Sequence, residues 1–226
     1  MLLWLLGFIP QIIVSLLFAS WFTDIRLKLK GTGAVKVILY LPNMLMASSI
    51  AVLFGKLFAV TGPINHILGT SIHFLENEWG IRLIIAFINF LMWTGNTTIL
   101  LMAGIMGIDT SILEAARIDG ANSIQIFRRI TLPIMAYTLV TSLIGGIQMF
   151  DVPQILTNGN GNPDRTSMTV IMYLNKHLYS KNYGMAGALS VILFIITAIL
   201  SVAVFKYVTK DMVNVGEKKV KKAKGV

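Results

Sequence analysis

Two short polar runs interrupt otherwise apolar stretches of the chain: Trp93-Thr94-Gly95-Asn96-Thr97-Thr98 and Gln148-Met149-Phe150-Asp151. An aromatic ring beside amide and carboxylate groups suits a sugar, because apolar ring faces stack while hydroxyls take hydrogen bonds. Trp93, Asn96, Gln148, Phe150 and Asp151 are therefore candidates for lining a substrate path by non-covalent contact. Asn96 and Gln148 serve equally well as hydrogen bonds between helices, and Asp151 as a water-facing residue at a membrane edge. Covalent chemistry has no candidate in the sequence. No G-x-x-x-x-G-K-[ST] run occurs, and Gly31-Thr32-Gly33 is a turn without the lysine of a phosphate loop. His66, His73 and His177 are scattered singly, and there is no cysteine. The expectation is no catalytic residue, no metal and no cofactor held by this chain.

Polar residues matter here because of what must position them. Hydrophobic residues make up 55% of the chain and charged residues 13%, with a mean hydropathy of +0.75. That composition lies outside the range of soluble domains. A hydrocarbon core about 30 Å thick requires about 20 apolar residues per helix, and five such spans are predicted: 1–20, 34–60, 81–106, 132–151 and 185–206. Inside a span, a polar group facing lipid leaves hydrogen bonds unmet, so Trp93–Thr98 and Gln148–Asp151 should face protein or water. Pro42 should kink or break the second span, and Lys56 should snorkel outward.

Basic residues set orientation. Arg26, Lys28, Lys30 and Lys36 crowd the first connection, and seven lysines lie from Lys206 onward, while the 61–80 loop has Glu76 and Glu78 and no Lys or Arg. The first connection, the segment 107–131 and the tail 207–226 should thus be cytoplasmic, and 61–80 and 152–184 external. The +9 net charge reads as topology and attraction to anionic lipid; with no soluble domain to present a groove, nucleic acid is not an expected partner.

The segment 107–131 is a polar helix–turn–helix between two spans. Ser111 and Glu114 have the spacing of a capping box, Ala115 and Ala116 are small helix formers that let another surface approach, and Gly120 can end the helix in the left-handed conformation. Ser123 or Asn122 can cap a second helix, and Pro133 suits the first turn of the next span.

Glu114-Ala115-Ala116, then Gly120 after three residues, then Ile130-Thr131-Leu132-Pro133 after nine more, resembles the EAA loop of ABC importer permeases. The resemblance implies that this loop docks on a separate ATP-hydrolysing subunit, with Glu114, Ala115, Ala116, Asp119, Gly120 and Ala121 in the coupling surface. Leu156-Thr157-Asn158-Gly159-Asn160-Gly161-Asn162-Pro163 is similar to the T-x-G-G-G-P run of the maltose and multiple-sugar permeases, with asparagines interleaved. The Tyr183–Ser190 stretch resembles that subgroup as well.

The fold implied is an all-α membrane protein whose five transmembrane helices correspond to spans two to six of a six-span permease core. Residues 1–206 would form the permease domain, followed by the basic tail 207–226. The resemblance implies an ATP-driven importer of a sugar or oligosaccharide. Its partners would be an ATP-binding cassette dimer that alone binds ATP, a homologous second permease and an extracytoplasmic solute-binding protein, in a bacterial or archaeal cytoplasmic membrane with the C-terminus cytoplasmic. The competing classes are a secondary transporter or channel, and a permease of this type for another solute such as amino acids or peptides. Ion-coupled transporters often need acids or bases within their spans, and here Lys56 and Asp151 fall near span ends.

Overall fold

The computed structural model describes residues 2–23, 31–132 and 136–223, with side chains described to residue 207 except at 123, 136, 137 and 139. Arg26, Lys28, Lys30 and Pro133 lie outside the described residues. Every regular element among them is helical: α1 Leu2–Thr23, α2 Thr32–Met44, α3 Ala47–Leu57, α4 Pro63–Leu68, α5 Glu78–Met106, α6 Thr110–Ile118 and α7 Ser123–Ile126. A π-helical turn, Phe127–Thr131, follows α7; then come α8 Ala136–Ile147, α9 Asp151–Leu156, α10 Val170–Tyr179 and α11 Tyr183–Ala223.

Helices α1, α5 and the Tyr183–Tyr207 part of α11 are each long and apolar enough to cross a membrane. The 34–60 stretch is broken just beyond Pro42, as that residue led us to expect. It is two helices, α2 and α3, bent by 92°. The Pro42 nitrogen cannot donate to the carbonyl one turn back, and α2 ends at Met44 with Leu45 and Met46 extended. Residues 132–151 are described as helix over Ala136–Ile147. Helix α11 runs through position 206 without a break, so the tail begins as a continuation of the last helix.

Lipid tails are as apolar as leucine, so helix association in a membrane depends on close packing and hydrogen bonds more than on hydrophobic burial. The sequence of α1 meets that need with a stripe spaced by four: Leu3, Gly7, Gln11, Ser15 and Ala19 are its buried residues. Gly7 approaches the Ala86 backbone so closely that a Cβ would lie 2.9 Å from the carbonyl oxygen. Ser15 Oγ donates to the Thr94 carbonyl at 3.1 Å, and Ala19 packs with Leu101 and Met102. Helices α1 and α5 therefore run parallel, which requires the bent α2–α3 pair to return the chain between them. On its other side α5 meets α2, where a Cβ on Gly95 would collide with the backbone of Leu39 and Tyr40. A second cluster, Leu3, Ile50, Ile81, Ile85, Ile88, Met149 and Val152 among its members, ties α3 and α9 to the first half of α5.

Candidate functional site

The α1–α5 seam opens on one side into a cleft of about 230 Å³, which α8 also lines. Its walls include Trp4, Gln11, Asn89, Trp93, Asn96, Thr97, Ser142 and Gly146. Trp93 stands 15 residues beyond Glu78 and 13 before Met106 on α5. At 1.5 Å rise per residue that is about 20 Å from either end of the helix, near the middle of a bilayer. Trp4 stacks on Phe8 with ring centroids 4.4 Å apart, and its indole occupies the space a side chain at Gly146 would need.

Polar atoms in the cleft are ordered by the helices that carry them. Gln11 Nε2 donates to Thr97 Oγ1 at 2.8 Å. Asn89 Nδ2 donates to the Ile85 carbonyl at 2.9 Å and to Met149 Sδ at 3.6 Å. Thr94 and Thr98 return their hydroxyls to backbone carbonyls of α5. Neither of these two lines the cleft, where the amides, the indoles and the hydroxyls of Thr97 and Ser142 remain to meet a guest.

Of the five residues expected along a substrate path, Trp93 and Asn96 line this cleft and Gln148, Phe150 and Asp151 do not. Helix α8 ends at Ile147, and the backbone turns before α9 starts at Asp151. That turn leaves Gln148 and Asp151 exposed and Phe150 half-buried, while Met149 points inward and lines the cleft. Trp4, Gln11 and Asn89 were not singled out in the sequence. Gln11 and Asn89 carried the usable signal, an amide within an apolar span.

The second candidate region is the loop that leaves the far end of α5. Helix α6 is capped by Asp109, whose side chain accepts from the Ser111 N–H at 2.9 Å. The expected Ser111–Glu114 box does not form, because α6 starts at Thr110, one residue before the proposed cap. The Ser111 backbone N–H, then its hydroxyl, hold the Asp109 carboxyl below its ordinary value against slight desolvation. At the other end Gly120 is left-handed, with φ +80°. Its N–H bonds to the Arg117 carbonyl and the Ala121 N–H to the Ala116 carbonyl, the two bonds of a Schellman closure. Asn122 and Gln125 then form a reciprocal capping box, each side chain accepting the other's N–H at 2.9 Å.

Glu114, Ala115, Asp119 and Gly120 are exposed, and Ala116 and Ala121 half-buried. Beside them Ile112, Ile118 and Ile124 are 51%, 86% and 75% exposed. A polar loop that spreads three isoleucines on its surface has the anatomy of a binding face.

At the other end of the spans the Thr157–Ser167 loop is folded on its own hydrogen bonds. Thr157 Oγ1 donates to the Pro153 carbonyl at 2.7 Å and accepts from the Gly161 N–H at 3.0 Å. Ser167 Oγ donates to the Asn162 carbonyl at 2.9 Å. Asn158, Gly159 and Gly161 take positive φ, which glycine and asparagine tolerate.

A sequence profile for the binding-protein-dependent transport system inner membrane component family matches residues 11–213. The chain belongs to this family. Among curated members it is 28% identical to the lactose transport system permease protein LacF of Rhizobium radiobacter over 77% of this chain and 62% of LacF. It is 31% identical to the multiple sugar-binding transport system permease protein MsmF of Streptococcus mutans, over 88% and 70%. The chain thus spans about six- to seven-tenths of the length of these relatives. Its fold matches a bacterial ABC transporter for the import of alginate, with a TM-score of 0.66, 23% identity, and coverage of 92% and 76%. The MetNI methionine ABC transporter matches at a TM-score of 0.56 with 16% identity, over 92% of this chain and 89% of that one. These matches establish an all-α, membrane-embedded transport component of this family.

Proposed function

We propose that this chain is a permease subunit of an ATP-driven importer for a sugar or oligosaccharide delivered by an extracytoplasmic solute-binding protein. The observation that carries the coupling half is the α6–Gly120–α7 unit. It keeps Glu114, Ala115 and Gly120 exposed beside Ile118 and Ile124, directly after the span that bears Trp93 and Asn96. An ATP-binding cassette dimer holds the nucleotide and docks on that unit, so no cofactor is bound by this chain itself. The sugar half is supported by the amides and indoles of the cleft and by relatives named for lactose and multiple sugars. One wall of a path is all that this chain supplies, and a homologous second permease closes it. The protein lies in a bacterial or archaeal cytoplasmic membrane in contact with lipid, with α6 and the basic C-terminus on the cytoplasmic side. Nucleic acid has no role.

The experiment is co-purification of the ATPase subunit with the co-expressed permease pair, using Gly120→Pro and Glu114→Lys as variants. Binding that both variants lose carries the coupling role. Binding that survives both moves docking to another surface. An intact permease pair that never retains the ATPase overturns the importer and favours a secondary transporter or channel.

A further inference from the structure

We infer that the cleft between α1, α5 and α8 admits uncharged glycosides and excludes carboxylated or sulfonated ones, a selectivity that rests on the transport role proposed above. Among the described residues, no Asp, Glu, Lys, Arg or His lines the cleft. Anionic sugars are recognised through charge-assisted bonds from Arg or Lys, and this wall offers none.

The hydrogen bonds already made inside the cleft sharpen the argument. The partners of Asn89 Nδ2, the Ile85 carbonyl and the Met149 thioether, can only accept. They fix the orientation of that amide and occupy both its N–H groups. Gln11 likewise commits an N–H to Thr97. What the Asn89 amide holds in reserve is a carbonyl oxygen, an acceptor, and Gln11 keeps its carbonyl and one N–H. A sugar hydroxyl can donate to these oxygens and accept from the Gln11, Asn96 and indole N–H groups, whereas a carboxylate or sulfonate can only accept, and here only from uncharged donors. Trp93, which lines the cleft and is 46% exposed, adds an aromatic face on which a pyranose ring stacks, and Trp4 adds the face that Phe8 leaves open.

Depth completes the case. An anion near the middle of the spans is stripped of water, and the uncharged wall returns no compensating charge. Discrimination of about a hundredfold or more against the anion is expected on that ground.

The test uses the purified assembly of this chain, its partner permease and a hydrolysis-deficient ATPase, with the binding protein omitted so that its selectivity does not enter. Labelled lactose or maltose is bound at equilibrium and competed with unlabelled lactose, maltose or digalacturonate. The expected result is competition by the neutral sugars and about a hundredfold weaker competition by digalacturonate. Trp93→Ala should weaken neutral binding by about tenfold through lost stacking. Asn96→Lys, at a half-buried wall position, should let digalacturonate compete.

Equal competition by digalacturonate in the native assembly overturns the charge rule and leaves the importer standing. Neutral binding that neither variant alters places the sugar elsewhere and overturns the assignment of this cleft. An assembly that retains its ATPase yet binds no sugar overturns both this selectivity and the sugar half of the proposed function.

Discussion

The Gln11 amide nitrogen donates to Thr97 Oγ1 at 2.8 Å, joining two spans across 86 positions of sequence, and both side chains are buried. One turn on, Ser15 Oγ reaches the Thr94 carbonyl. These two bonds sit in a seam that also holds Leu3, Gly7 and Ala19 on α1, the last two small enough to let the backbones approach. The pair has a double part, since Gln11 and Thr97 also line the cleft. The bond that fixes the α1–α5 register thereby fixes the shape of one cleft wall.

Thr97→Val should destabilise the permease more than Gln11→Leu. The valine leaves a buried amide without its partner, whereas the threonine left by Gln11→Leu can return its hydroxyl to its own helix, as Thr98 does. The expected losses are about 1 kcal/mol and about half of that, within the usual range for hydrogen bonds between membrane helices. The double variant should cost less than the sum. Thermal unfolding of the four proteins in detergent measures the cycle, and strict additivity would refute a direct bond.

Gly95→Ala should be far more damaging than Gly187→Ala. A Cβ at Gly95 meets the backbone of Leu39 and Tyr40, which cannot rotate away, while one at Gly187 meets nothing within 4 Å. Separating α2 from α5 by a methyl group is expected to cost about 1–3 kcal/mol. The yield of monodisperse protein after solubilisation checks this, and equal yields from the two variants would deny the close crossing.

Much of this architecture was legible in local pattern. Long apolar runs gave α1, α5 and α11, and the Glu114–Gly120 spacing placed the turn after α6 where Gly120 closes it. Pro42 announced a break, but not a 92° bend three residues later, because the angle is set by what α3 packs on, Ile81, Ile85 and Val152. The cleft was half legible for the same reason. Trp93 and Asn96 stand in a visibly polar run, whereas Gln11 becomes a wall residue only through the parallel pairing of α1 with α5. Gln148 and Asp151 lie outside the cleft because the chain turns between α8 and α9, a long-range outcome that no spacing encodes. The Ser111 box failed against a nearer competitor, Asp109, two residues upstream.

Gly120→Ala should lower stability by about 1 kcal/mol, the price of a Cβ in the left-handed region. Nothing lies within 4 Å of the position, so the cost is conformational and Gly120→Asn should recover part of it. Gly120→Pro should do worse than either, because it also removes the N–H that bonds to the Arg117 carbonyl. Amide exchange across α6 in the purified assembly ranks the three variants. Alanine behaving like proline would point to a steric neighbour at Gly120 instead.

Asp109, and not Ser111, should govern the start of α6. Asp109→Ala should fray the first turn, Asp109→Asn should preserve it because an amide oxygen accepts the same Ser111 N–H, and Ser111→Ala should leave the backbone bond in place. The pH dependence has a fixed sign. The folded carboxyl titrates below its ordinary value of 3.8, chiefly because the Ser111 N–H bonds the charged form. Its contribution is therefore complete above 3.8 and is lost as pH falls through the lower folded value. The wild-type α6 should accordingly keep its protection from pH 7 down to about 4 and lose it below the ordinary carboxylate value, while Asp109→Asn should show no such step. Exchange rates at Ser111 and Ile112, measured in both proteins across that range, decide the matter. A step of equal size in Asp109→Asn would show that Asp109 is not its source.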